Sequence, residues 1–216
     1  MADLFAHDSQ STEGFLPAGV SYRPGLVDAA TQTVLARAVA DIAARAPFRH
    51  PRTPGRGAFS AAITNCGTVG WWSDQRGYRY VPAQPESALP WPEIPQAFRD
   101  TVARVMAGTP WPRFAPDACL INFYGPGAKM GLHQDRDERD FAQPIVTVSL
   151  GDTADFMVGG GVRSDKTQAF QFRSGDVLIM GGEGRMLFHG VRRVHEGTSP
   201  ITGLQGRYSL TFRKAL

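Results

Sequence analysis

Apolar residues recur at helical spacing near the start of the chain. Leu35, Val39 and Ile42 lie three to four residues apart within DAATQTVLARAVADIAARAPF. This spacing places side chains on one face of a helix. Asp28 can cap the first turn of the helix, and Pro47 would end it. We therefore predict a helix between these two residues.

A second helix is predicted from near Pro95 to about Ala107, with Phe98, Val102 and Val105 on its apolar side. Between the two helices lies an irregular region rich in glycine and proline, in which we expect short strands and long loops. This region carries a set of aromatic residues: Trp71, Trp72, Tyr78, Tyr80 and Trp91.

After residue 115 the pattern changes to short β-like runs separated by turn sequences such as GPG, GGG, SGD and GGEG. The runs are ACLINFY, PIVTVSL, ADFMV, QAFQF, DVLIM, MLFHG and RYSLTFR. Several short strands of this kind predict an antiparallel sandwich or jelly roll, so the fold class is α+β and mainly β. Such barrels direct alternate side chains into a central cavity, which can collect ligands from distant strands.

The composition is that of an ordinary globular protein, with 216 residues of which 42% are hydrophobic and 20% charged. No apolar run approaches the roughly 20 residues that span a membrane, and the first residues lack the pattern of a secretory signal. Cys66 and Cys119 are too few for a disulfide scaffold and are expected as buried thiols. We expect a cytoplasmic protein without a membrane partner.

The net charge is only +3, but basic residues cluster in one segment. No acidic residue occurs between Asp41 and Asp74. Four arginines fall there: Arg45, Arg49, Arg52 and Arg56. This segment could contact phosphates, with Thr53 and Arg56 as candidate contacts. A solvated face is the alternative in a chain with 20 arginines and 3 lysines.

The segment LHQDRDE, residues 132–138, places an imidazole and two carboxylates at a spacing of two. In an extended backbone, His133, Asp135 and Asp137 would project to one face. A His-x-Asp pair alone is weak evidence for a metal site, because such pairs are more often surface ion pairs. His189 in MLFHG is the candidate third ligand, since it ends an apolar run. His195 follows the charged run VRRV and is expected to be more exposed.

Two imidazoles and one carboxylate on one side of a metal form the facial triad of non-haem Fe(II) oxygenases. Zinc accepts the same donors. The choice between the two metals therefore depends on what would occupy the open coordination positions.

The last predicted strand, RYSLTFR, bears on that choice. Alternation places Arg207, Ser209 and Arg213 on one face. Two guanidinium groups inside a barrel require anions, and arginine binds carboxylates in a bidentate manner. A dicarboxylate held by the metal and by Arg207 would meet this requirement, with Asn122 and Tyr124 as further donors. The alternative is an edge strand whose arginines face solvent.

Four blocks resemble the AlkB-type Fe(II)- and 2-oxoglutarate-dependent nucleic-acid demethylases: PDACLINFYGPGAKMGLHQDRDE, PIVTVSLG, FHGVRR and RYSLTFR. The segment TNCGTVGWWSDQRGYRY is similar to the nucleotide-recognition region of that family. The resemblance implies a double-stranded β-helix (jelly roll) at residues 113–216, within one integrated domain. It also implies an N-terminal nucleotide-recognition lid with supporting helices at 15–112, after a flexible N-terminus at 1–14.

Site residues follow from the resemblance by matching position. It implies that Fe(II) is bound by His133, Asp135 and His189. It implies that 2-oxoglutarate is held by Asn122, Tyr124, Arg207, Ser209 and Arg213. It implies that the substrate nucleotide is contacted by Trp71, Tyr78, Arg79, Tyr80, Asp137 and Arg163. Ser209 stands where close relatives carry asparagine, and Ile63 stands at a pocket position where relatives can carry methionine.

The implied reaction is oxidative demethylation of N-alkylated bases such as N1-methyladenine and N3-methylcytosine. It consumes O₂ and 2-oxoglutarate and releases succinate, CO₂ and formaldehyde. The loss of the alkyl group restores the unmodified base, so the reaction is a direct repair. The expected partner is alkylated DNA, single- or double-stranded, with RNA as a further candidate, and the enzyme is expected to be a monomer. Aromatic residues of the lid would stack the extruded base, and Asp137 would favour cationic bases.

Three other readings fit parts of the sequence. A 2-oxoglutarate oxygenase acting on a protein or a small molecule would keep the fold, but WWSDQRGYRY and the basic segment favour nucleic acid. A non-catalytic nucleic-acid-binding module does not need an intact set of His133, Asp135, His189 and Arg207. A zinc hydrolase leaves the paired arginines of the last strand unexplained.

Overall fold

The computed structural model describes residues 16–55 and 57–216. The predicted flexible N-terminus at 1–14 and the phosphate candidate Arg56 lie outside the described residues. The described part contains two α-helices, α1 at Ala29–Arg45 and α2 at Gln96–Met106. Its strands are β1 Val20–Arg23, β2 Ala62–Gly67, β3 Gly70–Asp74, β4 Gly77–Val81, β5 Ala118–Tyr124, β6 Met130–His133, β7 Ile145–Gly151, β8 Thr153–Val158, β9 Gln168–Phe172, β10 Val177–Met180, β11 His189–His195 and β12 Arg207–Arg213.

Both predicted helices are confirmed, and their ends follow the local sequence signals. The carboxylate of Asp28 accepts a hydrogen bond from the Thr31 backbone N–H at 2.7 Å, which caps α1. The buried face of α1 contains Leu35, Val39 and Ile42, as the spacing predicts. Helix α2 is likewise flanked by Pro95 and Ala107.

The jelly roll is confirmed as two facing antiparallel sheets. The larger sheet has the strand order β1-β10-β7-β12-β5-β2, and the smaller has the order β6-β11-β8-β9. Strands β3 and β4 form a separate hairpin. Strands β1 and β2 precede residue 113 yet pair with β10 and β5. The domain boundary at 112/113 stays a prediction.

Two clusters of buried side chains hold these layers together. One packs the apolar faces of α1 and α2 against the outer side of the larger sheet, for example Phe98 against Phe212. The other lies between the sheets and includes Tyr124, Phe156 and Phe172. The helices therefore support the larger sheet from outside, while its inner face and the smaller sheet enclose a cavity.

One predicted strand is wrong in position. MLFHG does not form a strand, because a short 3-10 helix at Gly182–Gly184 and a turn precede it, and β11 begins only at His189. The charged run VRRV, which lies outside the predicted strands, forms most of β11. A register shift between Val191 and Arg193 interrupts the alternation, so that Arg192 and Arg193 are both exposed on the outside of the smaller sheet.

Within the described ranges, no helix is long and apolar enough to cross a membrane. Cys66 and Cys119 are buried free thiols that lie directly opposite each other on β2 and β5, which confirms the expectation for them.

Candidate metal centre and substrate cavity

Three predicted metal ligands meet at the edge of the smaller sheet. His133 ends β6 and His189 begins β11, and the two residues are direct cross-strand partners. Asp135 follows His133 by two residues. One potential ligand atom from each of the three lies within 4.8 Å of the others. The strand ends at His133, so Asp135 and Asp137 are presented by irregular backbone rather than by an extended strand.

Hydrogen bonds to the backbone fix the orientation of both imidazoles. The Nδ1 atom of His133 lies 2.9 Å from the carbonyl oxygen of Gly131, and that of His189 lies 3.0 Å from the carbonyl of Leu187. Because a carbonyl oxygen only accepts, Nδ1 carries the proton and Nε2 keeps its lone pair. The Nε2 atoms lie 3.8 and 3.7 Å from the two Asp135 carboxylate oxygens.

The electrostatics of His189 and Asp135 favour the protonation states that bind a metal. Burial lowers the pKa of His189 to about 4, so its imidazole is neutral at physiological pH. Burial alone would raise the pKa of Asp135, but the Arg213 guanidinium and the two histidines hold that pKa below its usual range. The distance from Arg213 Nη2 to Asp135 Oδ2 is 2.8 Å. A neutral imidazole and an ionised carboxylate are the forms that bind a cation.

The centre opens into a cavity of about 410 Å³ between the sheets and the hairpin. Four of the five residues predicted to hold 2-oxoglutarate line it: Asn122, Tyr124, Ser209 and Arg213. Asn122 and Ser209 are direct cross-strand partners on β5 and β12. Ile63 also forms part of the wall and is buried.

Arg207 lies fully buried behind Tyr124 and is short of hydrogen-bond acceptors. Its Nε donates to Ser149 Oγ at 3.2 Å, while Nη1 and Nη2 have no partner among the described residues. The guanidinium carbon lies 5.1 Å from the ring centre of Tyr124 and 5.4 Å from that of Phe172. Burial lowers the pKa of Arg207, yet a guanidinium stays charged in proteins. A buried cation with two free donor groups is a site for an anion.

The other end of the cavity is aromatic. Trp71 and Tyr78, on the inner face of the hairpin, stack with ring centres 5.6 Å apart and planes 13° apart. Phe59 meets the edge of Trp71 at 5.8 Å. Trp71 Nε1 donates to Asp137 Oδ2 at 2.6 Å. Arg163 also lines this cavity, and its guanidinium lies 5.3 Å from the centre of the Phe188 ring.

Two predicted substrate contacts lie outside this cavity. Arg79 is on the outer face of the hairpin, where its guanidinium makes two hydrogen bonds of 2.8 and 2.6 Å to Asp74. Tyr80 points inward but is bound in a buried network, in which its hydroxyl donates to Glu138 Oε1 and accepts from Arg213 Nη1. Thr53 lies in a loop, where its hydroxyl donates to the Gly57 carbonyl at 3.2 Å.

The comparisons with known proteins settle the family. The sequence profile of the 2OG-Fe(II) oxygenase superfamily matches residues 19–213. The chain belongs to this superfamily. The alpha-ketoglutarate-dependent dioxygenase AlkB of Escherichia coli (strain K12) is 44% identical over 215 residues, which are 100% of this chain and 98% of the relative. The chain is thus an AlkB-type Fe(II)- and 2-oxoglutarate-dependent dioxygenase, and the predicted family is confirmed.

Two further matches agree with this AlkB-type assignment. The solved structure of OsALKBH1 is similar with a TM-score of 0.80 and 30% identity, covering 92% of this chain and 99% of that one. The DNA N(6)-methyladenine demethylase ALKBH1C of Arabidopsis thaliana is 34% identical over 166 residues, covering 65% of this chain and 36% of the relative.

The residues of this AlkB-type chain fit the two cofactors of the superfamily. His133, Asp135 and His189 supply two imidazole nitrogens and one carboxylate oxygen within 4.8 Å of one another, which is the donor set of the Fe(II) facial triad. The unpartnered donors of Arg207, together with Arg213 Nε, lie buried near the cavity and match a dicarboxylate. These buried donors give a structural reason for a cosubstrate that zinc hydrolysis would not need.

Several residues of the site are missed by sequence reasoning. Arg185 is buried, donates to the Asp135 carbonyl at 2.6 Å and pairs with Glu138 at 2.8 Å, so it fixes the loop that carries the metal ligand. Glu138 is buried as well. Both are charged residues, and nothing in the neighbouring sequence distinguishes them from charged residues at the surface. Phe59 carries a weak signal, because it is an isolated aromatic residue beside the basic segment.

Proposed function

We propose that this dioxygenase removes N-linked alkyl groups from nucleic-acid bases. The substrates are N1-methyladenine and N3-methylcytosine in DNA, with RNA as a second substrate. The observation that carries the proposal is that Trp71 and Tyr78 form an aromatic surface in the same cavity of about 410 Å³ that holds the three metal ligands. A planar base stacked on this surface would bring its ring substituents towards the metal.

The predicted cofactor residues have complementary tasks in this proposal. His133, Asp135 and His189 hold Fe(II). The carboxylates of 2-oxoglutarate are bound by Arg207, Arg213, Asn122, Tyr124 and Ser209. With O₂, the iron and 2-oxoglutarate supply the oxidising chemistry, and the products are succinate, CO₂, formaldehyde and the unmethylated base. The protein's residues position the base and keep water out of the cavity.

The depth of the centre constrains the form of the substrate. His189 and Asp135 are both buried, so a base paired inside a duplex cannot reach them. The target nucleotide must therefore be flipped out of a duplex or lie in a single strand. Stacking on aromatic side chains contributes about 1–3 kcal/mol per base, which offsets part of the cost of extrusion.

Asp137 selects the charge of the base in this proposal. N1-methyladenine and N3-methylcytosine are cationic near neutral pH, and the Asp137 carboxylate lines the cavity beside Trp71. A carboxylate in a site from which water is excluded attracts a cation more strongly than it would in water. The unmethylated base is neutral and lacks this attraction.

Four other predicted contacts have different roles in this proposal. Arg163 lines the cavity and can contact the target nucleotide. Thr53 remains a candidate phosphate contact in its loop. Arg79 and Tyr80 are proposed to hold the hairpin in place rather than to bind the base, since both are bound by side chains of the protein. We further propose that the enzyme acts as a monomer in the cytoplasm, where Cys66 and Cys119 stay reduced.

Incubation with Fe(II), 2-oxoglutarate, air and an oligonucleotide carrying N1-methyladenine tests this function. Wild-type protein should release formaldehyde and restore adenine, and His189→Ala should abolish both. His195→Ala is the matched control, because His195 pairs with Asp155 at 2.8 Å outside the cavity and should keep activity. Turnover on a protein or a small molecule, with none on DNA or RNA, would instead favour the alternative substrate class.

A further inference from the structure

A second concavity lies on the opposite face of the β3–β4 hairpin and is not used by the chemistry described above. We call it the outer cleft; its volume is about 650 Å³. It is lined by the outer face of the hairpin and by the segment from Arg49 to Arg52. Its side chains that carry charge or a ring are Arg49, His50, Arg52, Trp72, Asp74, Arg76, Arg79 and Glu86.

The outer cleft has an excess of positive charge. Two of its four arginines are paired, Arg79 with Asp74 and Arg49 with Glu86, each at 2.6 Å. Within residues 16–55 and 57–216, Arg52 and Arg76 form no ion pair. Both are exposed. The outer cleft therefore presents two free guanidinium groups, which suit phosphate oxygens.

An aromatic ring lies among these arginines. Trp72 lines the outer cleft and is half-buried, and it has no aromatic partner in the described part of the chain. Its neighbour Trp71 faces the other way, towards the metal centre. An aromatic side chain combined with arginines is the arrangement by which proteins bind single-stranded nucleic acid, with bases stacked and the backbone neutralised.

The walls of the outer cleft are held in place by the protein itself. Ser73 Oγ donates to the Arg52 carbonyl at 2.7 Å, which ties the basic segment to the hairpin. Arg49 and Ile63 also form an isolated antiparallel bridge. The two free arginines therefore project from a fixed backbone rather than from a separate loop.

We propose that the outer cleft binds the phosphodiester backbone and one stacked base of the substrate strand, beyond the target nucleotide. A strand that contacts both faces must pass around the edge of the hairpin, so the base in the outer cleft lies beyond the nucleotides next to the target. The hairpin thus binds one strand on both faces, with the target on Trp71 and a flanking base on Trp72. This inference rests on the proposed nucleic-acid substrate.

The test is the salt dependence of binding to an unmodified single-stranded oligonucleotide, measured by fluorescence anisotropy. The slope of log affinity against log salt is about −0.7 per neutralised phosphate on a single strand. The double variant Arg52→Ala/Arg76→Ala should make the slope less steep by about 1.4. The affinity should fall by about 25-fold at 0.1 M salt, with the difference closing towards 1 M.

Two controls separate the outer cleft from general charge. Arg37→Ala/Arg113→Ala removes two exposed arginines that line neither cavity and should leave the slope unchanged. Trp72→Ala should weaken binding of the long strand, whereas Trp72→Phe keeps a stacking face and should restore most of it. Demethylation of a trinucleotide with the target at its centre should be unaffected by Arg52→Ala/Arg76→Ala, because so short a strand does not reach the outer cleft.

An equal change of slope in the control pair, or an equal loss on trinucleotide and long strand, would overturn the proposal. Because the anisotropy measurement uses unmodified strands, it does not depend on turnover. Slope loss without demethylation would keep the outer cleft and remove the proposed function. Demethylation with an unchanged slope would keep the proposed function and overturn the proposal for the outer cleft.

Discussion

Trp71 Nε1 donates a hydrogen bond to Asp137 Oδ2 at 2.6 Å, which joins the β3–β4 hairpin to the loop that carries Asp135. Asp137 lies only two residues beyond Asp135. The same carboxylate thus fixes the ring against which a base would stack and places negative charge beside that base. These two tasks can be separated by substitution.

Asp137→Asn keeps an oxygen acceptor for Trp71 and removes the charge. We expect kcat/KM to fall at least about 10-fold on cationic N1-methyladenine and little on neutral N3-methylthymine. Two unit charges about 4 Å apart are worth about 4 kcal/mol at an effective dielectric constant of 20, and about 1.4 kcal/mol is tenfold in rate. Asp137→Ala also frees Trp71 and should impair both substrates. Equal losses on both bases in Asp137→Asn would remove the charge-selection idea.

Arg207 should behave as a cosubstrate ligand that is costly to bury alone. Replacement by Met keeps packing volume against Tyr124 and Phe172 and removes the unpartnered donors. Without 2-oxoglutarate, Arg207→Met should be as stable as wild type or more stable. At 2-oxoglutarate concentrations of about 100 Kd, wild type should gain about 2.7 kcal/mol and the variant nothing.

Thermal unfolding with Mn(II), with and without 2-oxoglutarate, measures both effects on Arg207→Met. A variant that is strongly destabilised without 2-oxoglutarate, yet gains as much as wild type when it is added, would show that Arg207 is a structural residue only.

Glu138 should contribute more to stability than a glutamate in an ion pair at the surface. It is buried between Arg185, at 2.8 Å, and Arg213, at 3.4 Å. Glu138→Gln leaves Arg185 without a counter-charge and should cost about 3–5 kcal/mol in the free energy of unfolding. Glu86→Gln is the matched control, since Glu86 pairs with Arg49 at the surface and should cost less than about 1 kcal/mol. Urea unfolding of both variants checks this, and similar small losses would contradict it.

Gly190 keeps β11 close to β6, and thereby His189 close to His133. A Cβ atom at this position would lie 2.6 Å from the Met130 carbonyl oxygen and 3.0 Å from that of Gly131. Gly190→Ala should therefore separate the strands and lower Fe(II) occupancy after anaerobic loading. Gly161→Ala, where nothing lies within 4 Å of the added atom, should retain full occupancy. Equal iron content in the two variants would show that this close approach is dispensable.

Sequence patterns predict the helices and most strands because local signals determine them. The Asp28 cap and the spacing of Leu35, Val39 and Ile42 suffice for α1. The run MLFHG misleads because glycines before it favour a turn, and because one side of β11 faces outward and tolerates Arg192 and Arg193. Strand β6 is not predicted, because it is short and its apolar and polar residues do not alternate.

Some residues of the site can likewise be predicted from the sequence, and others cannot. Spacing and family resemblance bring His133, Asp135 and His189 to one point, as they lie in the structure. The opposite placements of Arg79 and Trp71 depend on the register of the β3–β4 hairpin, which no single segment reveals. The burial of Arg185 and Glu138 depends on contacts between residues 47 positions apart. Such contacts cannot be predicted from local composition.

Mass spectrometry of a single-stranded oligonucleotide carrying one N1-methyladenine tests the central claim most directly. After incubation with the protein, Fe(II), 2-oxoglutarate and air, the account predicts that the oligonucleotide loses the mass of one CH₂ group. One succinate and one formaldehyde should form per base restored, and Asp135→Ala should show no change. An oligonucleotide that stays methylated, while iron is bound and 2-oxoglutarate is consumed, would contradict the account.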